Sequence, residues 1–153
     1  MYWITKDLGT ASLPELETVE KLENVEVELV ADLKDGKQLN KGQFESKVNH
    51  VEKIINKGNR AVIICVGGMS RSNAVALAYL VKSGMEFDKA YNLIKIKVPI
   101  ARINTDLVDF VKGKYLKVGI KMKLTKDDIE DLKALLKDYL LIFKENKKHQ
   151  KIL

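Results

Sequence analysis

Residues 60–65, RAVIIC, form an unbroken apolar, largely β-branched run that ends on the only cysteine of the chain. Such a run suits a central strand covered on both faces. Gly67 and Gly68 follow, then Arg71, and then SNAVALAYLVKSG, which is apolar nearly all round and predicts a buried helix over residues 72–84. Strand, glycine loop and buried helix in that order put the loop at the C-terminal end of a sheet strand, where open α/β folds bind their ligands. The loop amides and the N-terminus of the helix would converge there on an anion.

The rest of the chain agrees with an α/β layer structure. Residues 2–8 read as a short strand leading to Gly9, and SLPELETVEKL predicts a short helix with Ser12 as N-cap, Pro14 in the first turn and Glu15 completing a capping box. Alternation from Val25 to Val30 marks another strand, and DGKQLNKG (35–42) a polar loop. Apolar residues then recur at Phe44, Val48, Val51, Ile54 and Ile55, the stripe of an amphipathic helix ending at Gly58. Two further helices are expected near 86–97 and 103–117, separated by Pro99. Strands alternating with helices imply a small, mostly parallel sheet of about four strands flanked by helices. The last segment has Thr125 as N-cap, acids in its first turn, lysines in its last, and a stripe of Ile129, Leu132, Leu136, Leu140 and Phe143. It predicts an additional C-terminal amphipathic helix.

Composition limits the function classes. With 46% apolar and 31% charged residues over 153 positions, the chain has the balance of one globular domain. No apolar run is long enough to cross a bilayer, so no membrane partner is expected. The opening MYWITKDLG has neither the basic nor the apolar stretch of a secretory leader, and a lone cysteine fits a reducing compartment, so the expected location is cytoplasmic. One cysteine and 2 histidines make no metal constellation, and neither metal nor other cofactor is expected. The net charge of +6 favours anionic partners, although much of it lies in the KENKKHQK tail (144–151).

Cys65 has two readings. It is a small buried hydrophobe with Arg71 exposed by chance, or it is a thiolate at the bottom of an anion-binding loop. The paired glycines, the strand before them and the helix after them favour the second. Arg71 offers a planar fork for two phosphate oxygens, and Ser72 is placed to donate to the sulfur. In such a field a thiol ionises below its free value.

The segment C-VGGMS-R-S, Cys65 to Ser72, resembles the H-C-x5-R-[ST] signature of the protein tyrosine phosphatase superfamily. SRSNAVALAYLV looks closest to its dual-specificity branch, and MYWITKDLG…LP is similar to the compact archaeal phosphatases of that branch. The resemblance covers most of residues 1–116. It implies a phosphatase-like domain over 1–118, with the C-terminal helix and basic tail (119–153) packed on it or extending from it. It further implies two-step hydrolysis of phosphoproteins at phosphotyrosine, and at phosphoserine or phosphothreonine where the pocket is shallow. Cys65 would be the nucleophile, and Val66, Gly67, Gly68, Met69, Ser70 and Arg71 the cradle for phosphate or another oxyanion. Ser72 would ease departure of the sulfur, and Asn104, in VPIARINTDLVDF, would bring a polar side chain near the loop.

The resemblance also requires a general acid about thirty residues before the cysteine. Asp35 and Asp32 both qualify. The Asp-Gly start and Gln-Phe end of DGKQLNKGQF favour Asp35, with Asp32 the alternative as a capping carboxylate. Two departures stand out. Ile64 occupies the position of the signature histidine, which predicts a less acidic thiol, a slower enzyme, and leaves a phosphoprotein-binding pseudophosphatase as an alternative. Only NVEVELVADL separates the first helix from the acid loop, so one strand or hairpin of the family sheet is expected to be missing. The loop contains no lysine, which weighs against phosphoinositide substrates. An RNA 5′-triphosphatase of the same fold is the remaining alternative, but the chain lacks the aromatic-basic interleaving of single-strand binders and nucleic acid is not the expected partner.

Overall fold

A computed structural model describes the backbone of residues 1–123 and 125–150, and the side chains of 1–116 and 125–142. Four strands form one sheet: β1 (Tyr2–Trp3), β2 (Leu8–Ser12), β3 (Val25–Leu29) and β4 (Arg60–Cys65), in the order β1-β2-β4-β3. Both neighbours of β4 run parallel to it, with Thr10 opposite Ile63 on one side and Val27 opposite Val62 on the other. The small, mostly parallel sheet expected from the sequence is present.

Where a single strand over 2–8 was expected, the chain folds back on itself. Thr5 Oγ1 accepts from the backbone N–H of Asp7 and Leu8 (3.3 and 3.1 Å), and Ile4 N–H donates to Leu8 O at 2.8 Å. This side-chain turn reverses the direction, so β1 pairs antiparallel with β2 at the sheet edge. Trp3 then lies over Gly9, and the Arg60 guanidinium stacks on the indole 4.5 Å from its centroid.

After β2, Glu15 reaches back to Ser12 N–H (2.8 Å) and Ser12 Oγ (2.9 Å), as the capping pattern predicts, and a 3-10 turn (Leu13–Glu15) leads into α1 (Leu16–Glu20). The remaining helices are α2 (Lys41–Asn56), α3 (Arg71–Lys82), α4 (Phe87–Lys97), α5 (Thr105–Lys123) and α6 (Lys126–Gln150). Asn40 Oδ1 caps α2 by accepting from Gln43 N–H at 3.0 Å.

Every residue from Ala61 to Cys65 is buried, and the pleat sends them to two different cores. Ala61, Ile63 and Cys65 belong to the large core with residues of α2, α3, α4 and α5. Val62 and Ile64 point the other way, into a small cluster with Ala11 and Val19, edged by Trp3, Leu16, Val25 and Val27. Phe44 locks α2 to α5 through an edge-on contact with Phe110 at 5.2 Å.

Helix α6 begins with a reciprocal cap in which Thr125 N–H donates to Asp128 Oδ2 (2.7 Å) and Asp128 N–H to Thr125 Oγ1 (3.1 Å). From Ile129 to Ile142 its large apolar side chains are all exposed, Tyr139 by 65% and Leu135 by 66%. Among the described residues no helix is long and apolar enough to cross a membrane.

The two-sided burial of β4 has a measurable consequence. Ile64→Ala removes a fully buried side chain and is expected to cost about 3 kcal/mol, whereas Ile96→Ala, on the outer face of α4, should change stability by less than about 0.5 kcal/mol. Urea unfolding of the two variants distinguishes these values.

Candidate active site

Beyond Cys65 the chain leaves the sheet through residues 66–70 and re-enters regular structure at Arg71, the first residue of α3. Gly68 has φ +68, and a Cβ there would stand 3.2 Å from the backbone carbon of Ala11 and the nitrogen of Ser12. The loop therefore lies directly on the end of β2, in a conformation only glycine adopts without strain. Gly67 has no such requirement: its φ is not positive, and a Cβ there meets nothing within 4 Å. Of the two glycines, Gly68 is the one the geometry needs.

This placement aims Gly68 N–H at Cys65 Sγ, at 3.2 Å. Ser72 Oγ lies 3.2 Å from the same sulfur. Burial pushes the Cys65 thiol up, but hydrogen bonding by Ser72 through side chain and backbone, the Gly68 N–H and the charge of Arg71 outweigh it. The thiol is held below its ordinary value. Ile64, at the position where the resemblance calls for histidine, faces the opposite core and takes no part in these contacts.

The loop is braced from behind by a residue that the sequence reading passed over. Asn73 is fully buried, and its Nδ2 donates to the carbonyls of Gly68 and Met69, both at 3.0 Å. Its Oδ1 accepts from Thr10 Oγ1 at 3.2 Å, so the loop is tied to β2 through one amide. The signal was available: an asparagine in an otherwise apolar helix must find buried partners. Thr10 gave no comparable signal. Met69 O also accepts from Arg102 N–H (2.9 Å), and Ser70 Oγ from Asn104 N–H (2.9 Å).

Asn104, expected near the loop, lies beside it: its backbone N–H donates to Ser70 Oγ, and its Oδ1 accepts from Asp106 N–H at the start of α5. Val66 and Met69 stand exposed at the rim.

Arg71 extends toward the segment after β3, where its Nη1 donates to Ala31 O at 2.7 Å and Leu33 O at 2.9 Å. Its Nε lies 4.0 Å from Asp35 Oδ2. Asp35 precedes a 3-10 turn (Gly36–Gln38), makes no capping bond with its side chain, and is partly exposed. Asp32 is occupied differently: it accepts from Gln43 Nε2 at 2.8 Å and pairs with Lys47 at 3.4 Å. Lys47 also donates to Leu29 O (2.7 Å) and pairs with the buried carboxylate of Glu28, which contacts His50 as well. Asp32 is thus part of a structural network that fastens the strand end to α2, whereas Asp35 faces Arg71 in a long ion pair. Among the described residues no group of three or more histidine, cysteine and acidic side chains is arranged to hold a metal ion.

The family model for the dual specificity phosphatase catalytic domain matches residues 9–115. A curated relative, the dual specificity protein phosphatase YVH1 of Plasmodium falciparum, is 29% identical over 100 residues, which cover 56% of this chain and 17% of that protein. The chain thus spans about a sixth of the length of that relative. Among solved structures, a leucine-rich repeat and phosphatase domain protein of Entamoeba histolytica superposes with a TM-score of 0.66 at 17% identity, covering 81% of this chain and 95% of the other. Human DUSP28 superposes with a TM-score of 0.62 at 19% identity, covering 81% and 100%. These structures share the fold. Helix α6 lies beyond the matched residues.

Thiolate absorbance followed against pH should give a midpoint for Cys65 below the ordinary value of about 8.5. Ser72→Ala removes a bond to the charged form and should raise that midpoint. Asn73→Ala, which touches neither sulfur nor solvent, should raise it as well by releasing Gly68. An unchanged midpoint in Asn73→Ala means that the brace does not position the loop.

Proposed function

Because the chain belongs to the family of dual specificity phosphatase catalytic domains, we propose that it hydrolyses phosphomonoesters on proteins through a covalent phosphocysteine. The observation that carries this reading is the sulfur of Cys65 held by Gly68 N–H and Ser72 Oγ, with its pKa lowered beside Arg71. A structural cysteine in an apolar core would have its pKa raised instead.

In the first step the Cys65 thiolate attacks phosphorus. An S–P bond forms as the P–O bond to the substrate breaks, and Asp35 gives its proton to the departing oxygen. Arg71 and the amides of residues 66–71 hold the equatorial oxygens as charge spreads over them. In the second step Asp35 takes a proton from water, the new P–O bond forms and the P–S bond breaks. Ser72 Oγ–H donates to the sulfur as it regains its charge, and inorganic phosphate leaves. The chemistry needs no metal.

Asp35 is preferred to Asp32 as the acid because its carboxylate faces Arg71, while that of Asp32 is engaged by Gln43 and Lys47. The loop offers exposed Val66 and Met69 and contains no lysine, which suits an aryl phosphate rather than a polyanionic headgroup. Phosphotyrosine is accordingly the principal substrate, with phosphoserine and phosphothreonine secondary.

Purified protein should hydrolyse p-nitrophenyl phosphate in a vanadate-sensitive manner, and Cys65→Ser should abolish turnover. Wild type with no turnover above that variant overturns the reading, and phosphopeptide binding in its place would identify a binding module.

The pH profile separates the two aspartates. The rate should rise with pH as Cys65 ionises and fall again as the acid loses its proton. Asp35→Asn should remove the falling limb and cost about 10²-fold or more with poor leaving groups. Asp32→Asn should leave the shape of the profile intact. The reverse assignment follows if Asp32→Asn is the variant that loses the limb.

A further inference from the structure

The exposed stripe of α6 is an apolar surface that the proposed catalytic reading does not use. Ile129, Leu132, Leu136 and Tyr139 follow the 3-4-3 spacing of a coiled-coil seam, and Leu135, Leu140 and Ile142 broaden it. A lone helix with such a face in water is a marginal structure, so a partner surface is needed.

The sequence of the helix indicates which partner. Counted outward from the midpoint between Lys137 and Asp138, it is a charge-inverted palindrome. Most apolar positions match apolar ones, Leu136 with Tyr139, Leu135 with Leu140, Leu132 with Phe143 and Ala134 with Leu141, while Ile129 falls opposite Asn146 and Ile142 opposite Lys133. Acidic positions match basic ones: Asp138 with Lys137, Asp131 with Lys144, Asp128 with Lys147, Asp127 with Lys148. Glu130 with Glu145 is the one like-charged match among them. Two copies laid antiparallel about that midpoint therefore place leucines against apolar partners and the acidic end of each helix beside the basic end of the other. Parallel pairing would stack acid on acid and base on base. Antiparallel pairing also opposes the two helix dipoles.

We propose that α6 is a dimerisation helix, which pairs antiparallel with α6 of a second copy across a two-fold axis at Lys137 and Asp138. The contact is isologous, so it closes at two chains and does not propagate. Anionic membrane is the less suitable occupant, because over Lys126–Gln150 six acidic residues balance six lysines and the helix carries no net positive charge to draw it to such a surface.

Sedimentation velocity on the full chain from about 1 to 200 μM, the range in which a modest two-helix contact populates, should show a shift from one to two chain masses. Leu136→Glu with Tyr139→Glu should hold the protein at one chain mass throughout, with the circular dichroism and p-nitrophenyl phosphate turnover of the body retained. Orientation is read from a spin label at Lys126→Cys in a Cys65→Ser background. Antiparallel pairing separates the two label sites by ~35 Å along the axis at 1.5 Å per residue, and parallel pairing brings them side by side. A wild-type chain that stays at one mass to the highest concentration overturns the proposal. So does a short label distance, or co-sedimentation with phosphatidylserine vesicles by a chain that does not dimerise.

Discussion

Gly68 presses on the backbone of β2 with φ +68, and the rest of the site is arranged around that contact. Because no Cβ intervenes, the loop lies against the sheet, and its N–H can turn back to the sulfur at the end of the neighbouring strand. Asn73 holds the same residue by its carbonyl and passes the connection through Thr10 into β2. Loop position, strand pairing and thiol acidity are therefore three readouts of one packing arrangement. A loop lifted from β2 would cost the sulfur its Gly68 donor and leave Ser72 and Arg71 alone to oppose burial, which favours the neutral thiol.

The alternation of β4 decides where Ile64 points. A residue one step before Cys65 on a pleated strand points to the other face, and there Ile64 fills an apolar cluster beneath α1. The lowered pKa of Cys65 comes from donors on its own side of the sheet, Gly68 and Ser72, and from Arg71. Ile64 acts on stability, through the small core that fastens α1 to the sheet.

Much of this was legible in the residues. RAVIIC announced a strand buried on two faces, the Ser12/Glu15 pair announced a cap, and the short span between α1 and the acid loop announced a small sheet. What escaped was geometry carried by single polar side chains. Thr5 bends the first strand through a hydroxyl, a role no periodicity records. Gly67 and Gly68 are indistinguishable as letters, and only the approach of β2 separates them. Asn104 meets Ser70 through its backbone while its Oδ1 caps the start of α5, a division of labour no motif records. The occupation of Asp32 depends on Lys47 and Gln43, which come from α2 and are brought near by the fold alone.

Arg71 donates from one nitrogen to two carbonyls of the segment that carries Asp35. In the proposed reaction the same guanidinium would also hold the anion, so both events would draw on one side chain. Such sharing is a linkage, and it is reciprocal: an anion that reorients Arg71 alters the hold on residues 31–35, and by the same factor the posture of that segment alters affinity for the anion. Substitutions at Ala31 or Leu33 that only reshape the backbone would then be felt as changes in oxyanion binding, although neither residue offers it a side-chain donor.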